Sequence, residues 1–233
     1  MSWTETAHAD ASALAQALAA GLGDTISHAI EARGHAVLAL AGGRTPFPIY
    51  RLLAALSLPW HKVTLLCTDE RWVPADHPAR NERELAAAFT SARGVRILPL
   101  VPSLPGDDAG THIAESSLAQ VTDAFDAVLL GMGGDGHTAS LFPGAPELGV
   151  ALEPHAAPVI ELHPDPLPAE APFPRISLTL PRLLNTRRLL LVLQGEGKRE
   201  VLHHAQAAAD PVALPVAAFL HHPKAKVEIH WSP

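Results

Sequence analysis

The feature that most constrains this chain is a repeated unit: a short apolar run that stops at glycine or charged residues and gives way to helical spacing. HAVLAL (35–40) is broken by Gly42 and Gly43, and TPFPIYRLLAAL then restarts a helix, with Thr45 as N-cap and Pro46 at the first helical position. KVTLLCTDE (62–70) reads as a strand ending in charged residues, followed after the loop VPADHP by a helix over ARNERELAAAF. FDAVLLGM (125–132) is a third strand, RRLLLVLQG (187–195) a fourth with GKREVLHHAQAAA as its helix, and KVEIHW (226–231) a closing strand. The opening ASALAQALAAGLGDTISHAIEARG has apolar residues at helical spacing and ends at Gly34, so one or two helices are expected there. Strands alternating with helices predict a mostly parallel α/β sheet covered on both faces. In such sheets ligands sit outside the carboxyl ends of the strands.

A length of 233 residues suits one large α/β domain or two small ones. The proline-rich segment 143–174 carries only one short strand signal, APVIEL, and reads as an ordered excursion rather than a linker. A single domain over 1–233 is therefore expected. A single cysteine, Cys67, excludes an internal disulfide and a Cys-rich zinc pattern, and points to a reducing compartment. The N-terminus has no basic leader, and apolar runs such as LLLVL fall far short of the roughly 18 residues of a membrane span. A cytoplasmic location is expected. The formal net charge of −7 argues against a nucleic-acid or anionic-membrane surface, which would need a basic stripe. Any anion must be caught by a local pocket.

GMGGDGHTASLFPG (131–144) raises a sharper question, because its first six residues fit the dinucleotide fingerprint G-x-G-x-x-G. That reading needs a long helix opening at the third glycine, yet the helix would have to cross Pro143, Pro146, Pro154 and Pro158, at about 3 kcal/mol for each interior proline. No dinucleotide or other cofactor is expected. The bland alternative is a plain turn after a strand. Against it, Asp135, His137, Thr138 and Ser140 are packed beside the glycines at the end of a buried strand, and a neutral imidazole can take a proton from water. Ser140 lacks the G-x-S-x-G elbow of a nucleophile. The chain has no H-E-x-x-H, and the pairs His203/His204 and His221/His222 are adjacent in sequence, so no metal is expected.

Three segments together, AGGRTPFPIYRLL, TDERWVPADHPARNE and GMGGDGHTASLFPG, resemble the signature loops of the 6-phosphogluconolactonase family, and PRISLTLPRLLN and QGEGKREVL resemble its remaining two. The likeness runs in order along almost the whole chain. It implies a Rossmann-like three-layer sandwich of the kind shared with glucosamine-6-phosphate deaminase and ribose-5-phosphate isomerase, without a bound dinucleotide.

Residues 42–45, Gly42, Gly43, Arg44 and Thr45, lie between a strand and a helix N-terminus, where free N–H groups favour an anion. By resemblance this loop lines a phosphosugar site, with Arg44 where the family often has serine. The resemblance also assigns Arg71 to the phosphate, keeps Asp69 near the reacting carbon and makes Lys198 the phosphate lysine. A lysine at a helix start opposes the dipole by a few tenths of a kcal/mol unless an anion offsets it. Arg175 is either a second substrate contact or a structural ion pair, and Asn81 a cap or loop anchor with a possible pocket role. His137 is expected to deprotonate the water that attacks the lactone carbonyl, with Asp135 or Asp69 orienting the ring and loop N–H groups receiving the oxyanion. The expected partner is thus a small phosphosugar lactone, 6-phospho-D-glucono-1,5-lactone, bound by a monomer or small homo-oligomer. Two rivals stand beside this reading. The deaminase branch shares the D-G-H loop but has glutamate five residues after the histidine, where this chain has Phe142. A sugar-phosphate-binding regulator without turnover is the other, suggested by Arg44, by Arg80 where serine is common, and by the C-terminus WSP.

Overall fold

The computed structural model describes residues 3–106, 110–164 and 172–233. In chain order the elements are β1 (Trp3–Ala7), α1 (Ala11–Arg33), β2 (Ala36–Leu40), α2 (Pro46–Ala54), β3 (Val63–Cys67), β4 (Asp69–Arg71), α3 (Asn81–Ala88), β5 (Arg96–Leu98) and α4 (His112–Leu118). They continue with β6 (Ala127–Gly131), α5 (Leu148–Ala151), β7 (Val159–Leu162), β8 (Arg175–Leu178), α6 (Leu180–Leu184), β9 (Leu189–Gln194), α7 (Glu196–Ala208), α8 (Ala217–Leu220) and β10 (Val227–Ser232). Seven strands form one sheet in the order β1-β10-β9-β6-β2-β3-β5, and every pairing in it is parallel. The expected α/β class with a mostly parallel sheet is what the chain adopts.

The central strands are apolar because both of their faces are covered. β2 is buried at every position, and β9 at all but its last, Gln194. The opening helical pattern forms one helix. Asp10 caps α1 by accepting the N–H of Ala13, and Gly34 closes it in the left-handed conformation with φ 82°. Leu14, Leu18, Leu22 and Ile26 lie along its buried side. Each such burial contributes about 1.5–3 kcal/mol, and Leu22→Ala would cost about 2–5 kcal/mol.

Two readings need correction, and two strands were not foreseen. KVTLLCTDE is not one strand. The chain leaves the parallel sheet at Thr68, whose N–H still bonds Leu40 O of β2 while its own carbonyl accepts the N–H of Leu178 in β8. Asp69–Arg71 is then a separate strand in a second, antiparallel sheet of order β4-β8-β7. β1 and β5 gave no strand signal: both are short sheet edges, β1 with mainly exposed residues and β5 only three residues long. Thr45 makes no side-chain cap bond, because it already has helical backbone angles, although Pro46 does open α2. APVIEL forms β7, while part of the proline-rich excursion, residues 165–171, lies outside the described residues.

The order of strands places the site. From β2 the chain builds outward through β3 to β5, then crosses back to β6 on the other side of β2 and builds away through β9 and β10. The direction reverses between β2 and β6, and the loops leaving such a pair splay apart to open a crevice at their carboxyl ends.

Candidate active site

A cavity of about 700 Å³ occupies that crevice. Each of the four central strands β9, β6, β2 and β3 delivers residues to it. Gly42, Gly43, Arg44 and Thr45 follow β2, and Asp69, Arg71 and Asn81 follow β3. Gly133, His137 and Ala139 follow β6, and Gln194 and Lys198 follow β9. Of the residues singled out from sequence, the fold brings Gly42, Gly43, Arg44, Thr45, Asp69, Arg71, His137 and Lys198 around one space. Asp135 stands behind His137, outside the lining, and Arg175 is not on the wall either.

The glycines of the loop after β6 make room for an imidazole. A Cβ on Gly133 would come within 2.2 Å of the His137 ring. The turn is closed by Gly133 N–H to His137 O at 2.9 Å and tied to the strand end by Thr138 Oγ1 donating to Gly131 O at 2.8 Å. Its close-approach glycine therefore serves the histidine, which explains why a fingerprint-like spacing occurs without the helix a dinucleotide needs.

His137 is held on two sides. Asp135 Oδ1 lies 2.5 Å from Nδ1 and also accepts the His137 backbone N–H at 3.1 Å. Phe142 packs against the ring with centroids 4.3 Å apart. Partial burial pushes the Asp135 carboxyl up, but the bonds and charge of His137 outweigh it and hold the group below its ordinary range. The carboxylate that meets His137 is thus Asp135. Asp69 is engaged elsewhere, accepting from Thr68 Oγ1 at 3.0 Å and Ser140 Oγ at 2.5 Å. Ser140 is buried in that contact, and its hydroxyl ties the glycine loop to β4.

Arg71 and Asn81 form the neighbouring wall. Arg71 Nη1 donates to Ala79 O at 2.6 Å, and Asn81 Nδ2 donates to Asp69 O at 3.0 Å. Asn81 itself fills the space beside Gly42. Arg175 lies directly across from Arg71 in the β4–β8 register, buried, with its guanidinium 5.7 Å from the centroid of Phe142. Burial, and then the charge of Arg71, lower its pKa to about 10. Arg44 and Lys198 complete the basic lining, Lys198 from the first turn of α7. Gln194 went unnoticed in the sequence, although its place at the carboxyl end of β9 was the available signal. Among the described residues no cluster of three His, Cys, Asp or Glu could hold a metal ion. Nor is any described helix long and apolar enough to cross a membrane.

Comparison with known proteins bears on this arrangement. The family described as glucosamine-6-phosphate isomerases/6-phosphogluconolactonase matches residues 9–231. A 6-phosphogluconolactonase of Rhizobium meliloti is 38% identical over 95% of both chains, and one of Caulobacter vibrioides is 38% identical over 94% of this chain and 93% of its own. The crystal structure of a 6-phosphogluconolactonase from Shewanella baltica superposes with a TM-score of 0.91 at 36% identity, covering 99% of this chain and 97% of that one. A monomeric glucosamine-6-phosphate deaminase shares the fold, with a TM-score of 0.77 at 22% identity over 100% and 97% of the two chains. The chain belongs to the glucosamine-6-phosphate isomerase/6-phosphogluconolactonase family.

Proposed function

We propose that the chain hydrolyses 6-phospho-D-glucono-1,5-lactone to 6-phosphogluconate with His137 as general base. The observation that carries the reading is a single cavity lined by His137, whose Nδ1 is engaged by Asp135, and by the cations Arg44, Arg71 and Lys198. The full-length relatives named 6-phosphogluconolactonase support the same substrate.

In this reading Arg71, Lys198 and the Gly42–Thr45 loop grip the phosphate and so fix where the ring lies. With its Nδ1 proton donated to Asp135, His137 presents the lone pair of Nε2. It takes a proton from water as the water oxygen bonds to the lactone carbonyl carbon, and the carbonyl electrons move onto oxygen. Loop N–H groups receive that charge. As the carbonyl reforms, the bond from carbon to the ring oxygen breaks, and the imidazolium returns its proton to that oxygen, leaving a hydroxyl and a carboxylic acid that ionises. No covalent enzyme intermediate is needed. Ser140 is committed to Asp69, and Phe142 beside the imidazole is an apolar ring with no proton to carry.

The test follows loss of freshly generated lactone with wild type and His137→Ala, with glucosamine 6-phosphate as a parallel substrate. Acceleration by the wild type that His137→Ala abolishes is the expected result. Ammonia release from glucosamine 6-phosphate, or no acceleration of lactone loss above buffer, would overturn the reading.

A further inference from the structure

Two residues of the cavity wall, Arg71 and Asn81, come from different elements, β4 and α3, and the loop 72–80 separates them in sequence. One buried carboxylate joins them. Glu70 Oε1 accepts the N–H of Arg71 at 2.7 Å and that of Asn81 at 2.8 Å, and Oε2 accepts the N–H of Glu82 at 2.7 Å. Glu70 thus occupies the N-terminus of α3 and satisfies two of its otherwise open amides while holding the backbone of Arg71. The nominal cap position, Arg80, makes no side-chain cap bond of its own.

Arg80 braces the carboxylate from behind. Its Nε lies 3.5 Å from Glu70 Oε2, and both side chains are 1% exposed. The rest of the guanidinium gathers the surrounding loops: Nη1 donates to Val73 O at 2.8 Å and Pro102 O at 3.2 Å, and Nη2 to Val101 O at 2.5 Å and Glu82 Oε2 at 2.8 Å. Neither side chain of this pair lines the cavity. Desolvation pushes the Glu70 carboxyl up to about 7, while the three N–H bonds and then Arg80 pull it down.

We propose that Glu70 is a positioning residue: its buried carboxylate, braced by Arg80, sets the spacing between Arg71 and Asn81 and so the grip of the cavity on the substrate phosphate. The inference rests on the reading that Arg71 meets that phosphate. It gives Arg80 a task behind the wall of the site without contact to substrate. Gln in place of Glu70 keeps the shape but offers one acceptor oxygen, so at least one of the three amides loses its acceptor and Arg80 keeps Glu82 as its charged partner.

The experiment is a double-mutant cycle read by calorimetric binding of 6-phosphogluconate and by lactone kinetics, on wild type, E70Q, R71A and E70Q/R71A, each checked for folding by circular dichroism. Expected for E70Q is a rise of about tenfold in Kd and KM, with a fall of no more than about threefold in kcat. The double variant should bind no more weakly than R71A alone, because Glu70 acts through Arg71. A general structural defect would instead lower affinity in the R71A background as well. If E70Q does not fold, E70D carries the same cycle, since it keeps the charge but withdraws from the α3 amides. Wild type that neither binds the product nor turns over lactone removes the underlying reading and the proposal with it. If wild type and R71A behave as expected but E70Q binds as wild type does, or its loss adds to that of R71A, the role of Glu70 alone is overturned.

Discussion

Asn81 stands in the place a side chain at Gly42 would need: a Cβ there would lie 2.2 Å from Asn81 Oδ1. Asn81 cannot easily yield, because its amide is bonded to Asp69 O and its backbone N–H to Glu70. Gly42→Ala must therefore displace the asparagine or the loop after β2. Overpacking of this kind costs about 1–3 kcal/mol. A lowered denaturation midpoint is expected together with at least about tenfold weaker binding of 6-phosphogluconate, since both displaced groups line the cavity. An alanine variant with wild-type stability and affinity would show that the two loops are not in this contact.

The bond between His137 Nδ1 and Asp135 separates the roles of the two acids near the imidazole. His137→Ala is expected to lower kcat by about 10²–10⁴-fold, the usual contribution of a general base. Asp135→Asn removes a charge-assisted bond whose carboxylate is 48% exposed, so solvent screening holds the pair to about 0.2–1 kcal/mol and kcat should fall by up to about fivefold with KM little changed. Asp69→Asn should act differently, freeing Ser140 and loosening the tie between the glycine loop and β4. Steady-state kinetics on the three variants distinguish these cases. Equal kcat for wild type and Asp135→Asn would remove Asp135 from the catalytic pair.

The parts of this arrangement that could be read in the sequence are those where burial writes a pattern. β2, β3, β6 and β9 are continuous apolar runs because both faces are covered, and each run ends in the residues that line the cavity. β1 and β5 left no such trace, since an edge strand is held by backbone bonds that any sequence can make. The break at Thr68 was equally silent. Nothing in VTLLCTDE distinguishes residues that pair with β2 from those that pair with β8, and the switch depends on a strand more than a hundred residues later. For the same reason the sequence left Asp135 and Asp69 as equal candidates beside His137. A two-residue turn puts Asp135 on the ring, whereas the position of Asp69 is fixed by a second sheet and by Ser140. Glu70 was visible only as the middle of a charged triplet, because its acceptors' partners lie a full loop away.

If Arg71 and Lys198 meet the phosphate, their loss should matter only for phosphorylated substrates. Arg71→Ala and Lys198→Ala are each expected to raise KM for 6-phosphogluconolactone by about 10- to 100-fold, the equivalent of one charged hydrogen bond. Hydrolysis of unphosphorylated gluconolactone should be nearly unaffected. The ratio of the two specificity constants is the measurement. A variant that loses both substrates in equal proportion would place its side chain on the sugar ring or in the structure, not on the phosphate.

The far edge of the sheet carries a pH-dependent contact independent of the cavity. His230 in β10 lies 3.0 Å by Nδ1 from His8 Nε2, which follows β1, and the rings stack with centroids 5.3 Å apart. Glu228 on the same strand and Arg188 before β9 are the charged groups nearby, and they are bonded to each other. Burial first, then the His8 charge, lower the His230 pKa to about 4 from an ordinary value of 6.5, with Glu228 opposing and Arg188 adding to the effect. The sign follows from where the proton goes. The unfolded chain binds it near pH 6.5 and the folded chain resists it until about 4, so the contribution is complete above pH 6.5 and is lost as pH falls through that window. Wild type should therefore lose more thermal stability between pH 7 and 4.5 than His230→Gln, which cannot titrate. Melting curves across that range decide it: parallel losses in the two proteins would mean that His230 takes up its proton equally in the folded and unfolded states.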